Sequence, residues 1–114
     1  MLSTLYKKKL DDLLYLCRKN LPECNEKMIT DAFKFSLNAH KLDKRASGEP
    51  YIIHPVEVAT IVAKEIPLDD KTVAAALLHD VVEDTKFSFE DLRAEFGREI
   101  ADIVDGATKI EGMF

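Results

Sequence analysis

The chain has 114 residues, 46% hydrophobic and 32% charged, which suits one soluble globular domain and leaves no room for a second. A formal net charge of -5 argues against direct nucleic-acid binding, which wants a basic stripe. No apolar run approaches the roughly 20 residues of a membrane span, and two cysteines without a CxxC or Cys/His cluster argue against a zinc knuckle.

In chain order, Leu5, Leu10, Leu13, Leu14 and Cys17 recur at helical spacing and predict an amphipathic helix from about Ser3 to Asn20. Its basic residues, Lys7, Lys8, Lys9, Arg18 and Lys19, read as a solvated face. Pro22 and Asn25 mark the break. A second helix, from near Asn25 to Leu42, carries Met28, Ile29, Ala32, Phe33, Phe35, Ser36 and Ala39 on a broad apolar face. Residues 43–50 are polar, contain Gly48 and Pro50, and read as a loop. Tyr51, Ile52 and Ile53 form an extended lead-in to a third helix. Pro55 suits its first turn, where a missing N–H costs nothing. That helix runs to about Glu65, and Pro67 ends it.

Asp69 or Asp70 can cap a fourth helix, Thr72 to about Glu83, which is apolar almost all round and therefore central. Ser88 caps a fifth helix, with Asp91 three residues on as a variant capping box, and Gly97 stops it. A sixth runs from about Arg98 to Ala107 with Ile100, Ile103 and Val104 inward. The expected class is all-α, a bundle of about six helices in a single domain over 1–114. The chain stops at Phe114 without a closing helix, so the bundle is expected to be incomplete there, and bare core surface is expected to favour homo-oligomers. Two thiols and no secretory signal suggest the cytoplasm.

The fourth helix holds the sharpest chemical signal. His79 and Asp80 stand side by side in a greasy run, and helical spacing places Glu83 one turn beyond His79 and Asp84 one turn beyond Asp80. A buried carboxylate is costly unless paired or bound to metal. An isolated His–Asp pair is most often a satisfied core pair; four polar groups on one helix edge are harder to satisfy by chance. His54 opens the third helix beside Pro55, and it can approach the His79–Asp80 pair if the third and fourth helices pack together. Two imidazoles and a carboxylate suit Mn²⁺, Fe²⁺ or Zn²⁺ better than Ca²⁺. His40, one helix earlier, is given no role.

The runs Arg45-Ala46-Ser47-Gly48-Glu49-Pro50-Tyr51-Ile52-Ile53-His54-Pro55 and Leu77-Leu78-His79-Asp80-Val81-Val82-Glu83-Asp84, supported by Glu95-Phe96-Gly97 and by residues 104–109, resemble the HD-type hydrolase domain of the RelA/SpoT family. The resemblance spans roughly Ala32 to Ile110. It implies a helical, Mn²⁺-dependent enzyme that removes the 3′-pyrophosphate of ppGpp and pppGpp, its small-molecule guanine-nucleotide partners. It implies metal ligation by His54, His79 and Asp80. Glu83 and Asp84 would position or deprotonate the attacking water. Arg45 would hold the guanine base, with Ser47 in the same recognition segment. The family takes a further Asp ligand from beyond the second motif, and the parent protein is expected to carry a synthetase domain as well. Two alternatives are an HD phosphohydrolase acting on another nucleotide and a catalytically inactive helical regulatory module.

Overall fold

The structure, a computed structural model, describes residues 4–21, 23–40, 53–65 and 69–112; the side chains of residues 53, 54, 84 and 107–112 lie outside the described set. The described residues form α1 (Thr4–Asn20), α2 (Glu26–Ala39), α3 (Ile53–Glu65), α4 (Asp70–Leu78), α5 (Val81–Asp84), α6 (Phe89–Phe96) and α7 (Arg98–Gly112), with no strand among them. The all-α expectation holds. The expected fourth helix is divided by a turn at His79–Asp80 into α4 and α5.

Local chemistry sets most of the helix ends. The Asn25 side chain accepts from the Met28 N–H at 3.0 Å and caps α2. Asp69, not Asp70, caps α4, accepting from the Thr72 N–H at 2.8 Å and the Thr72 hydroxyl at 2.7 Å. Ser88 and Asp91 form a reciprocal capping box at α6. Each satisfies N–H groups that a helix start leaves without partners. Gly97, with φ +93°, ends α6 and starts α7 in a backbone region that side chains resist.

The apolar faces close on a core of Leu10, Leu13 and Cys17 from α1, Ile29, Ala32 and Phe33 from α2, and Val56, Ala59 and Ala63 from α3. Val73, Ala74, Leu77 and Leu78 of α4 lie at its centre, completely buried, and α4 packs on α2, α3 and α7. Alanines at these contacts let helix backbones approach closely. Leu5, expected on the inner face of α1, is 52% exposed.

Two polar ties fix how the helices run. Asn20 Nδ2, at the end of α1, donates to the Ala63 carbonyl near the end of α3 at 3.0 Å. The Asn25 N–H, at the start of α2, donates to Asp70 Oδ2 at the start of α4 at 2.8 Å. One end of the bundle therefore gathers the ends of α1 and α3 and the starts of α2 and α4. The other end receives the end of α2, the start of α3 and the α4–α5 turn.

Candidate metal centre

His79 and Asp80 lie at that second end, in a turn whose dihedrals stay right-handed: φ -61°, ψ -30° at His79 and φ -95°, ψ -4° at Asp80. His79 Nδ1 lies 2.6 Å from the Ala76 carbonyl oxygen, the group a continuing helix would offer to the Asp80 N–H. A carbonyl can only accept, so Nδ1 carries a proton and donates. Nε2 then faces Asp80 Oδ2 at 3.2 Å, with both side chains about nine-tenths buried.

This arrangement fits a cation. In the neutral ring, protonated at Nδ1, Nε2 is a lone-pair nitrogen, and it stands beside a carboxylate oxygen. Two electron-rich atoms at that distance in a buried site call for positive charge shared between them, a second ring proton or a metal ion. Two ligands each about 2.1 Å from one ion stand roughly 3.0–3.4 Å apart at octahedral or tetrahedral angles, which brackets the observed spacing. A histidine ligand held by its other nitrogen on a backbone carbonyl is the usual way a protein fixes the metal-facing nitrogen. Among the described residues, no group of three or more His, Cys, Asp or Glu side chains converges as a ready-made site.

The other expected site residues divide into two groups. Glu83 is exposed on α5, so it does not share the buried edge occupied by His79 and Asp80. The break at 79–80 removes the uninterrupted helical register that would have aligned them. Arg45 and Ser47 lie outside the described residues, as do the side chains of His54 and Asp84. The backbone of residue 54 sits in the first turn of α3, at the same end of the bundle as the His79–Asp80 turn, and α3 packs on α4. Sequence reading missed the Ala76 carbonyl. No sequence signal marks it, since which way the ring turns depends on burial.

The HD domain family pattern matches residues 32–113. The chain belongs to the HD domain family. Within the matched span, His79 and Asp80 form a buried imidazole–carboxylate contact. The bifunctional (p)ppGpp synthase/hydrolase SpoT of Escherichia coli strain K12 is 44% identical over 103 residues, which are 90% of this chain and 14% of that protein. The guanosine-3′,5′-bis(diphosphate) 3′-pyrophosphohydrolase of Haemophilus influenzae is 54% identical over 76 residues, 67% of this chain and 11% of its own. The GTP pyrophosphokinase of Streptomyces coelicolor is 42% identical over 109 residues, 93% of this chain and 13% of its own. The RelA/SpoT resemblance carried by the two motifs is borne out by these identities. The chain spans about 14% of the length of the first of these relatives.

Proposed function

We propose that this HD domain hydrolyses the 3′-pyrophosphate of ppGpp and pppGpp, giving GDP or GTP and pyrophosphate. The observation that carries the reading is the HD pair itself, with Nδ1 anchored on a carbonyl and Nε2 held 3.2 Å from a buried carboxylate oxygen. Relatives named as ppGpp 3′-pyrophosphohydrolases, similar across most of this chain, support the choice of substrate.

His79 and Asp80 would hold a divalent metal ion together with His54, from the start of α3. Two nitrogens and an oxygen favour Mn²⁺, Fe²⁺ or Zn²⁺ over Ca²⁺, and Mn²⁺ is the ion proposed. When bound, such an ion neutralises charge on phosphoryl oxygens and lowers the pKa of water it holds. Glu83 and Asp84, on the short α5, would orient the attacking water and take its proton. Water adds to the phosphorus next to the 3′-oxygen, the bond between them breaks, and a proton ends on the 3′-oxygen. Arg45 would stack its guanidinium on the guanine, which Lys does less well, and Ser47 would belong to the same recognition segment.

The partner in this reading is a small nucleotide, not a nucleic acid. Three basic side chains of α1 and α2 are engaged with acids: Lys8 with Asp12 at 3.0 Å, Arg18 with Glu26 at 2.6 Å and Lys27 with Asp31 at 2.9 Å. No helix among the described residues is long and apolar enough to cross a membrane. We place the protein in the cytoplasm, where the substrate nucleotide would be found.

The test incubates the longest natural form of the protein with ppGpp and Mn²⁺ and follows pyrophosphate and GDP. Both should appear, and His79→Ala should abolish both. Failure to form either product ends the reading. Faster turnover of deoxynucleotides than of ppGpp would move the substrate to another nucleotide. No change of melting temperature on adding Mn²⁺, together with no turnover, would favour a non-catalytic helical module.

A further inference from the structure

The buried polar side chains among the described residues are four: Ser36 and His40 on α2, and His79 and Asp80. The last two make the proposed metal site. The first two have no place in the function as argued so far, yet His40 is only 2% exposed and Ser36 is completely buried.

Helix direction places these groups together. α2 and α4 start side by side, joined by the Asn25 N–H and Asp70 Oδ2, and pack along their length. Position 34 lies nine residues beyond Asn25, and position 79 nine beyond Asp70. At 1.5 Å per residue both stand roughly 14 Å along the bundle. The last turn of α2, from Ser36 to its cap His40, thus begins near the level at which α4 gives way to the HD turn. A ring contact agrees with this alignment: Phe35 packs on Phe87, just past α5, with centroids 4.8 Å apart. The last turn of α2 therefore stands at the same end of the bundle as the His79–Asp80 turn. His40 also closes α2, its N–H bonding back to the Ser36 carbonyl at 3.0 Å, and the next residues lead to Arg45.

We propose that His40 is a positioning residue for this site: the buried imidazole at the end of α2 that sets the HD turn and α5 in the geometry that metal binding and water attack require. The inference rests on the hydrolase reading and deepens it. His40 touches neither metal nor substrate in this account; it acts through the 79–87 stretch, and it joins that stretch to the segment that carries Arg45.

The test compares wild type with His40→Phe, which keeps a ring and removes polarity, and His40→Gln, which keeps a hydrogen-bonding group. Three quantities are read: the melting temperature without metal, the Mn²⁺ concentration that half-saturates the metal-induced rise in melting temperature, and kcat and KM for ppGpp. Loss of a group that orients metal ligands typically costs 10–100-fold in metal affinity or activity. His40→Phe should show that loss in the Mn²⁺ midpoint and in kcat, with KM nearly unchanged, and His40→Gln should recover part of it. A purely structural histidine would lower the metal-free melting temperature and leave the other readouts alone. That result overturns the proposal, as does failure of both variants to fold. If wild-type protein neither responds to Mn²⁺ nor cleaves ppGpp, the hydrolase reading itself falls. If wild type does both and the variants match it, only the role of His40 falls.

Discussion

Asp69 shows how one side chain sets a helix and a pH response together. Its carboxylate accepts two hydrogen bonds from Thr72, and these hold its carboxyl below the usual carboxylate range. A depressed carboxyl contributes stability above its unfolded pKa, and that contribution is lost as pH falls through the folded value. Asp69→Ala should lower stability by about 1 kcal/mol at neutral pH. The gap from wild type in thermal melts should narrow toward pH 3; a constant gap would remove the cap from the account. Cys17 has the opposite sign. Burial first, and then its neighbour Cys24, push its thiol from 9.0 up to about 12. A raised thiol favours the folded state fully below the ordinary thiol value, and that advantage is lost as pH rises from there toward 12. Wild type should therefore lose more stability than Cys17→Ala between pH 9 and pH 11 in urea titrations. Alkylation of the native protein at pH 8 should label half-buried Cys24 before completely buried Cys17.

Helix ends were the most legible part of this chain because a cap is local chemistry. Asn25, the Ser88–Asp91 box and Gly97 all act where the sequence places them. The sequence left Asp69 and Asp70 as equals; geometry separates them, since Asp69 caps α4 while Asp70 reaches across to the Asn25 N–H. The break between α4 and α5 was not legible. No Gly or Pro stands at 79–80, and both residues keep helical dihedrals. At the break the His79 ring lies against the Ala76 carbonyl, a contact that depends on where burial turns the ring. Gly97 supports a sharper claim. A methyl group there would meet nothing within 4 Å, so crowding does not enter. Only the backbone at φ +93° objects. Gly97→Ala should cost about 1–3 kcal/mol, read as a lower urea midpoint at unchanged slope. An unshifted midpoint would mean that the α6–α7 junction relaxes without loss.

At the scale of the molecule, the bundle has one end tied by backbone–side-chain bonds at Asn20 and Asn25 and another where the buried polar groups collect. The chemistry of the second end was half legible. The His-Asp pair stood out because two polar residues interrupt an apolar helix, and Glu83 and Asp84 seemed to share its edge. Burial separates Glu83 from the pair, placing His79 and Asp80 in the wall and Glu83 in solvent. A helical wheel could not show that, because the wheel assumes the register that His79 breaks. The consequence is a stability linkage. With its ring neutral, a pair with Nε2 set 3.2 Å from a carboxylate oxygen holds two like-natured atoms together at a cost that a shared cation relieves. A ligand that binds only the folded state adds about 2.7 kcal/mol at 100 times its dissociation constant. For a chain of this size that is a rise of roughly 10 °C in melting temperature. Saturating Mn²⁺ should produce such a rise in wild type and little of it in Asp80→Asn, which removes the charge and keeps the shape. Without metal, Asp80→Asn should melt at or slightly above wild type, because the asparagine amide can donate to Nε2 where the carboxylate only accepts. A metal-free variant much less stable than wild type would mean that the pair is already neutralised by a ring proton, and that its resting state is an ion pair.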